Sequence, residues 1–366
     1  MTIRVAAIGT GYFSHYHYDA WSRIPGVSLA AVCTRRNEQK LGEIARQYGV
    51  RHRCLDAARM LDEVRPDLVD IITTPESHLE LVTLAAERRI PAICQKPLAP
   101  TLEDARRVVE TAERAGSLLV AHENWRFKPW FREARRLIDA GRIGPVHSIA
   151  FRMRPGDGQG PDAYLARQPY FQRMPRFLIH ETGIHMVDVF RFLVGEMTGV
   201  FARLRRLNPR IAGEDAGYVV FDFAAAAGIL DGNRLADFPA RNPRLTMGSL
   251  LVEGPLGTLR LDGDGGLWVK PHGGEEAPHS YRWEDRGYSG DCVHALQSHV
   301  VAHLRDGTPV ENTAREYLRN VEIEQAIYRS NDGQRWIDLG LTGTPAVPST
   351  RYASCQLTVA EGGGYS

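Results

Sequence analysis

Through residue 123 the chain alternates short apolar runs with helical stretches, and this alternation restricts the fold more than any other feature of the sequence. Apolar runs at 3–8, 27–33, 68–72, 92–94 and 118–121 have the length of buried strands, and segments 37–48, 75–88 and 101–115 between them carry helical spacing. Thr101 with Asp104 predicts a helix start, and Gly116 a helix stop. Strand and helix in strict turn imply a doubly wound parallel sheet with helices on both faces. In such a sheet, ligands gather outside the carboxyl ends of the strands.

The texture changes after Asn124. Pro129 and Gly141 bracket a helix, and longer alternating segments follow at 146–154, 198–206, 216–223, 228–233, 248–253 and 258–261, separated by turns such as Asp262-Gly263-Asp264-Gly265-Gly266. These predict a large, mostly antiparallel sheet with one face solvated or covered by another subunit. Helices at 183–194, 292–305 and 314–328 are expected to cover the other face. The reading is therefore an α/β nucleotide-binding domain over 1–123, an α+β domain over 124–340, and a loosely held tail over 341–366.

Bulk composition excludes some functions. Lys plus Arg (45) and Asp plus Glu (44) nearly cancel, which argues against nucleic acid or a membrane surface as the main partner. No apolar stretch approaches the ~20 residues that span a bilayer. A strand beginning at Ile3 leaves no room for a signal peptide, and the scattered cysteines 33, 54, 94, 292 and 355 form no metal or redox spacing. A reduced, cytoplasmic protein is expected.

The first strand ends in Gly9-Thr10-Gly11-Tyr12-Phe13-Ser14, a Gly-x-Gly-x-x-Ser turn. Gly9 would make the tight turn, Gly11 would admit a pyrophosphate, and Ser14 is small enough for helix–strand packing. The second strand ends in Thr34-Arg35-Arg36, where an NAD enzyme usually carries Asp or Glu for the ribose 2′-hydroxyl. A hydroxyl followed by two guanidinium groups suits a 2′-phosphate, so NADP is expected, with NAD possible. At the end of another strand, Lys96 in Gln95-Lys96-Pro97 faces the same crevice.

A second cluster is His180-Glu181-Thr182-Gly183-Ile184-His185-Met186-Val187-Asp188. On a helix Glu181, His185 and Asp188 share a face, and a carboxylate beside an imidazole prepares a general base. The same spacing also fits a helix start with a first-turn carboxylate and a structural histidine. Zinc is not expected, because His180 and His185 would point about 140° apart on a helix.

Together these segments resemble the Gfo/Idh/MocA family of NAD(P)-dependent oxidoreductases, named for glucose–fructose oxidoreductase, inositol dehydrogenase and a rhizopine catabolism protein. The resemblance runs from residue 3 to about 340 and rests on the glycine turn, Thr74-Pro75-Glu76-Ser77-His78, Gln95-Lys96-Pro97-Leu98-Ala99, Asn124-Trp125-Arg126-Phe127 and Gly183-Ile184-His185-Met186-Val187-Asp188. It implies that Lys96 and His185 are catalytic, with Gln95 in place of the usual acid and Glu181 in place of the usual aspartate. It further implies cofactor contacts from Tyr12, Phe13, Thr74, Pro75 and His78, a substrate contact from Arg126, and a C-terminal sheet domain used for substrate binding and for dimer or tetramer contacts.

The stretch 156–177, with Tyr164, Arg167, Gln168, Tyr170, Arg173 and Arg176, is a candidate substrate loop, or else a solvated connection. The expected activity is hydride transfer between a nicotinamide and a carbinol carbon of a sugar, cyclitol or related polyol. His185 would move the hydroxyl proton, Glu181 would orient it, and Lys96 would bond the reacting oxygen. Two other readings carried by the resemblance are a glycosidase with an internal NAD redox cycle and a cofactor-sensing regulator. The presence of both Lys96 and His185 disfavours the sensor.

Overall fold

A computed structural model describes residues 2–340; the stretch 341–366, read above as a tail, lies outside the described residues. The first layer contains β1 (Ile3–Ile8), α1 (Ser14–Arg23), β2 (Val27–Cys33), α2 (Glu38–Gln47), β3 (His52–Cys54), α3 (Ala57–Val64) and β4 (Leu68–Ile71), followed by α4 (His78–Glu87), β5 (Ala92–Gln95), α5 (Leu102–Arg114) and β6 (Leu119–His122). All its strands are parallel, in the order β3-β2-β1-β4-β5-β6. The order reverses beside β1, which creates the crevice where α/β sheets bind ligands. Asn37, Asp56 and Thr101 cap α2, α3 and α5 by accepting backbone N–H groups of the first turn. β3 and α3 escape periodicity reading because three and eight residues are too short to show a pattern.

The rest of the chain contains α6 (Pro129–Asp139), β7 (Ser148–Met153), α7 (Ile184–Leu193), β8 (Met197–Arg205), β9 (Ala216–Phe223), β10 (Ala227–Asn233), α8 (Pro243–Thr246) and β11 (Gly248–Gly254). β12 (Gly257–Leu261), β13 (Leu267–Pro271), β14 (Ala277–His279), α9 (Cys292–Asp306), α10 (Ala314–Gly333) and β15 (Ile337–Asp338) complete it. The nine strands run β14-β13-β12-β11-β7-β10-β9-β8-β15, antiparallel except for the β7–β10 pair. Among the described residues, no helix is long and apolar enough to cross a membrane.

Helix α7 joins the two cores. Ile184 packs into the core of the parallel sheet, while Met186, Val187 and Phe190 pack into that of the large sheet. His185 is thereby held at the junction. One expectation is corrected: α9 does not cover the large sheet. Cys292, Leu296, Val300 and Val301 pack with Val5, Trp21, Ile93 and Val120, so α9 closes a face of the parallel sheet. Those apolar strands need cover on both sides, and the helices between them supply only part of it.

Candidate active site

At the end of β1, Gly9 has φ +127°, and a Cβ there would stand 2.4 Å from the Ile72 carbonyl oxygen. Only glycine fits that turn. Gly11 has nothing within 4 Å of where a Cβ would lie, so the backbone is open at the start of α1. Ser14 is buried and its hydroxyl donates to the Gly11 carbonyl at 2.7 Å. This open turn at a helix N-terminus fits a dinucleotide pyrophosphate. Phe13 is turned inward on His17, His122 and Tyr288, while Tyr12 is exposed. Thr10 and Thr34 bond through their hydroxyls at 3.2 Å, tying the turn to the end of β2. There Arg35 pairs with Glu80 on α4, whereas Arg36 makes no ion pair among the described residues.

Lys96 follows β5. Its Nζ donates to the Glu181 carbonyl at 2.7 Å and stands 3.3 Å from the Glu181 carboxylate. Gln95 is fixed by a relay: its Oε1 accepts the Lys96 N–H at 2.8 Å, and its Nε2 lies 3.2 Å from His17 Nε2. His17 Nδ1 in turn bonds buried Asp70 at 2.8 Å. A glutamine suits position 95 because it can donate to a neutral imidazole, which a carboxylate cannot do.

His185 is buried. Its Nδ1 lies 2.6 and 2.8 Å from the two oxygens of Glu123, and its ring stacks on Trp125 with centroids 4.6 Å apart and planes 3° off parallel. Nε2 makes no hydrogen bond among the described residues. Burial, then the charge of Lys96, holds His185 well below its ordinary pKa, so the ring is neutral at physiological pH. Burial also raises the Glu123 carboxyl, an effect countered in part by the Trp125 N–H it accepts at 3.1 Å. A proton on Nδ1 facing Glu123 leaves Nε2 as the basic atom.

The carboxylate at His185 Nδ1 is therefore Glu123 and not Glu181. Residues Leu178–Gly183 form a π-helical turn, and α7 begins only at Ile184. The wider turn removes the four-residue register that would have put Glu181 beside His185, and Glu181 instead serves Lys96. The signal for Glu123 lay in its position immediately after β6, at the carboxyl edge of the sheet.

Three further expectations are corrected. Arg126 forms a two-pronged pair with Asp188, at 2.8 and 2.7 Å, and Asn320 adds a bond to the same carboxylate at 2.8 Å. It anchors α7 and is not a free substrate donor. Tyr164 is buried, donating to Asp157 at 3.0 Å and accepting from Arg234 at 2.8 Å. The fully buried Arg234 needs those partners, and it reaches Thr182 at 2.8 Å as well. His78 is also buried, with its ring nitrogens 3.1 Å from the Leu98 and Thr73 carbonyls, so it braces the loops after β4 and β5. Thr74 is exposed and Pro75 partly so at that edge. On the candidate substrate loop the exposed tyrosine is Tyr170, whose hydroxyl accepts from Gln168 at 2.9 Å. Among the described residues, no group of three or more His, Cys, Asp or Glu side chains is placed to hold a metal ion.

A nucleotide turn facing a lysine and a carboxylate-held histidine defines a nicotinamide-type oxidoreductase site. Comparison with known proteins agrees. Residues 3–122 match the oxidoreductase family with an NAD-binding Rossmann fold, and 131–260 match the Gfo/Idh/MocA C-terminal domain. The chain belongs to the Gfo/Idh/MocA family of oxidoreductases. It is 35% identical to a D-apiose dehydrogenase from Paraburkholderia graminis, over 94% of this chain and 92% of that one. It is 32% identical to another from Rhizobium rhizogenes, over 92% and 98%. An oxidoreductase from Agrobacterium radiobacter, solved with NAD+, L-tartaric acid and magnesium, superposes with a TM-score of 0.83 at 31% identity, over 93% and 99% of the two chains.

Proposed function

We propose that this protein is a cytoplasmic, NADP-preferring dehydrogenase of a sugar, cyclitol or related polyol. The observation that carries the reading is the His185–Glu123 pair, with Nε2 left free, on the same crevice as Lys96 and the open glycine turn. The nicotinamide, when bound, supplies the hydride acceptor or donor. Gly9, Gly11 and the start of α1 would hold its pyrophosphate, with Thr34 and Arg36 at the ribose.

On the protein side, His185 Nε2 takes the hydroxyl proton as the carbinol is oxidised, and Glu123 stabilises the imidazolium that forms. Lys96, held by Glu181, bonds the reacting oxygen and favours the developing negative charge. Arg126, through Asp188, keeps α7 in place. Of the two tyrosines on the candidate substrate loop, exposed Tyr170 takes the substrate-facing role and buried Tyr164 does not. The D-apiose dehydrogenases among the relatives support a sugar-like substrate. A missing carboxylate after β2 and an Arg36 without an ion pair among the described residues support NADP, although the Agrobacterium structure holds NAD+. The test is a panel of sugars, cyclitols and sugar acids with each cofactor, followed by absorbance of the reduced nicotinamide. Turnover with none of them would end the reading.

We also propose a homodimer or homotetramer. Phe201, Val220, Ile229, Ala150 and Leu251 are neighbours in register across β8, β9, β10, β7 and β11, and form an apolar row on the open face of the sheet. Ile229 is 46% exposed. Such a row on a sheet face marks an interface, so light scattering is expected to show an oligomer that Ile229→Arg dissociates.

A further inference from the structure

Lys128, at the start of α6, is fully buried, and its Nζ has no hydrogen-bond partner among the described residues. A buried ammonium without a partner is costly. The Nζ stands 3.5 Å from the centroid of the Trp125 ring, with Trp130 and Tyr288 rings at 5.6 and 5.9 Å. An indole face attracts a cation, which accounts for where the charge rests. The same indole is stacked on His185. We propose that Lys128 is a positioning residue whose ammonium, held on Trp125, disfavours a second positive charge on the stacked His185 imidazole and so keeps it a base at lower pH. This inference rests on the reading of His185 as the base.

The surrounding charges are consistent with that direction. His185 is faced by Lys96 after β5, by Glu123 and His122 at the end of β6, by Glu181 in the π-turn and by Asp188 on its own helix. Asp188 is neutralised by Arg126. Glu123 and Glu181 favour the imidazolium, whereas Lys96 and Lys128 oppose it. Lys128 itself is faced by Cys292, Tyr288 and Glu123. Burial pushes the Cys292 thiol up to about 12 and raises the Tyr288 phenol, so neither supplies an anion near neutrality. Burial lowers Lys128 to about 7. Its charge is thus present on the acid side, where protonation of His185 would stop the base.

The test is the pH profile of kcat/KM for the wild type, Lys128→Met and Lys128→Arg, with His185→Ala measured alongside. In Lys128→Met the acid limb should move to higher pH by about one unit, roughly a tenfold loss at a pH on that limb. Lys128→Arg should keep the limb near its wild-type position. A residue that only fills space would change Tm and leave the limb in place, which overturns the proposal, as does an Arg variant shifted as far as the Met one. If His185→Ala turns over normally, the base reading fails and the proposal with it. If His185→Ala is inactive and the Lys128→Met limb is unmoved, only the role of Lys128 fails. Should the Met variant not fold by circular dichroism, Lys128→Gln, also uncharged, is read in the same way.

Discussion

Glu123→Gln separates the site described here from the one that spacing alone suggests. The substitution keeps shape and removes charge. The Trp125 N–H, 3.1 Å from Oε1, holds the amide oxygen on that side, where it still accepts from His185 Nδ1 at 2.6 Å, and puts the NH2 at the second position, 2.8 Å away. A hydrogen bond to a charged acceptor contributes about 1 kcal/mol more than a neutral one, so losing the charge alone costs roughly fivefold to tenfold in turnover. Turnover should therefore fall by about 5- to 10-fold, with cofactor affinity unchanged.

Stability should move the other way. Burial raises the Glu123 carboxyl, so its ionised form is disfavoured in the folded state above the unfolded carboxylate pKa. The Gln variant should match the wild type near pH 4 and melt no lower, or higher, at pH 7. Stopped-flow or steady-state nicotinamide absorbance, cofactor titration and melting curves at both pH values make the measurement. Turnover within twofold of the wild type, in a folded Glu123→Gln protein, would refute the assignment; an accompanying large loss in Glu181→Gln would restore Glu181 as the orienting acid.

The remaining predictions are simpler. His185→Ala should lower turnover by about 10²–10⁴-fold with cofactor affinity nearly intact, and Lys96→Ala should lower turnover and raise KM as well; steady-state kinetics with cofactor titration checks both. Arg36→Ala should weaken NADP by about tenfold and leave NAD unchanged, whereas Arg35→Ala, already paired with Glu80, should matter less; equal losses for both cofactors in calorimetric titration would contradict selectivity. Asp188→Asn breaks a buried pair and leaves Arg126 uncompensated, so it should cost about 3–5 kcal/mol by denaturant unfolding. Tyr164→Phe should lower stability by about 1–3 kcal/mol, since Arg234 and Asp157 lose a buried partner, while its KM changes little; a KM effect without a stability effect would make Tyr164 a substrate ligand.

Local chemistry made part of the protein legible in the sequence. Apolar runs of strand length alternating with helical spacing dictated the parallel sheet, because burial on both faces demands continuous hydrophobicity. The glycine turn was readable because its backbone geometry admits no Cβ at Gly9. Lys96 was readable because strand ends in such a sheet converge on one crevice. The tertiary structure decided which charged groups meet. Glu123 and His185 are 62 positions apart and come together only when β6 and α7 pack, and the π-turn that carries Glu181 away has no periodic signature of its own. Arg126, Tyr164 and His78 looked available in the sequence, yet each is held by a partner from a distant segment: Asp188, Arg234 and the Leu98 carbonyl. Spacing along a chain fixes which side chains can share a face, but a buried charge takes its partner from whatever the fold brings within about 3 Å.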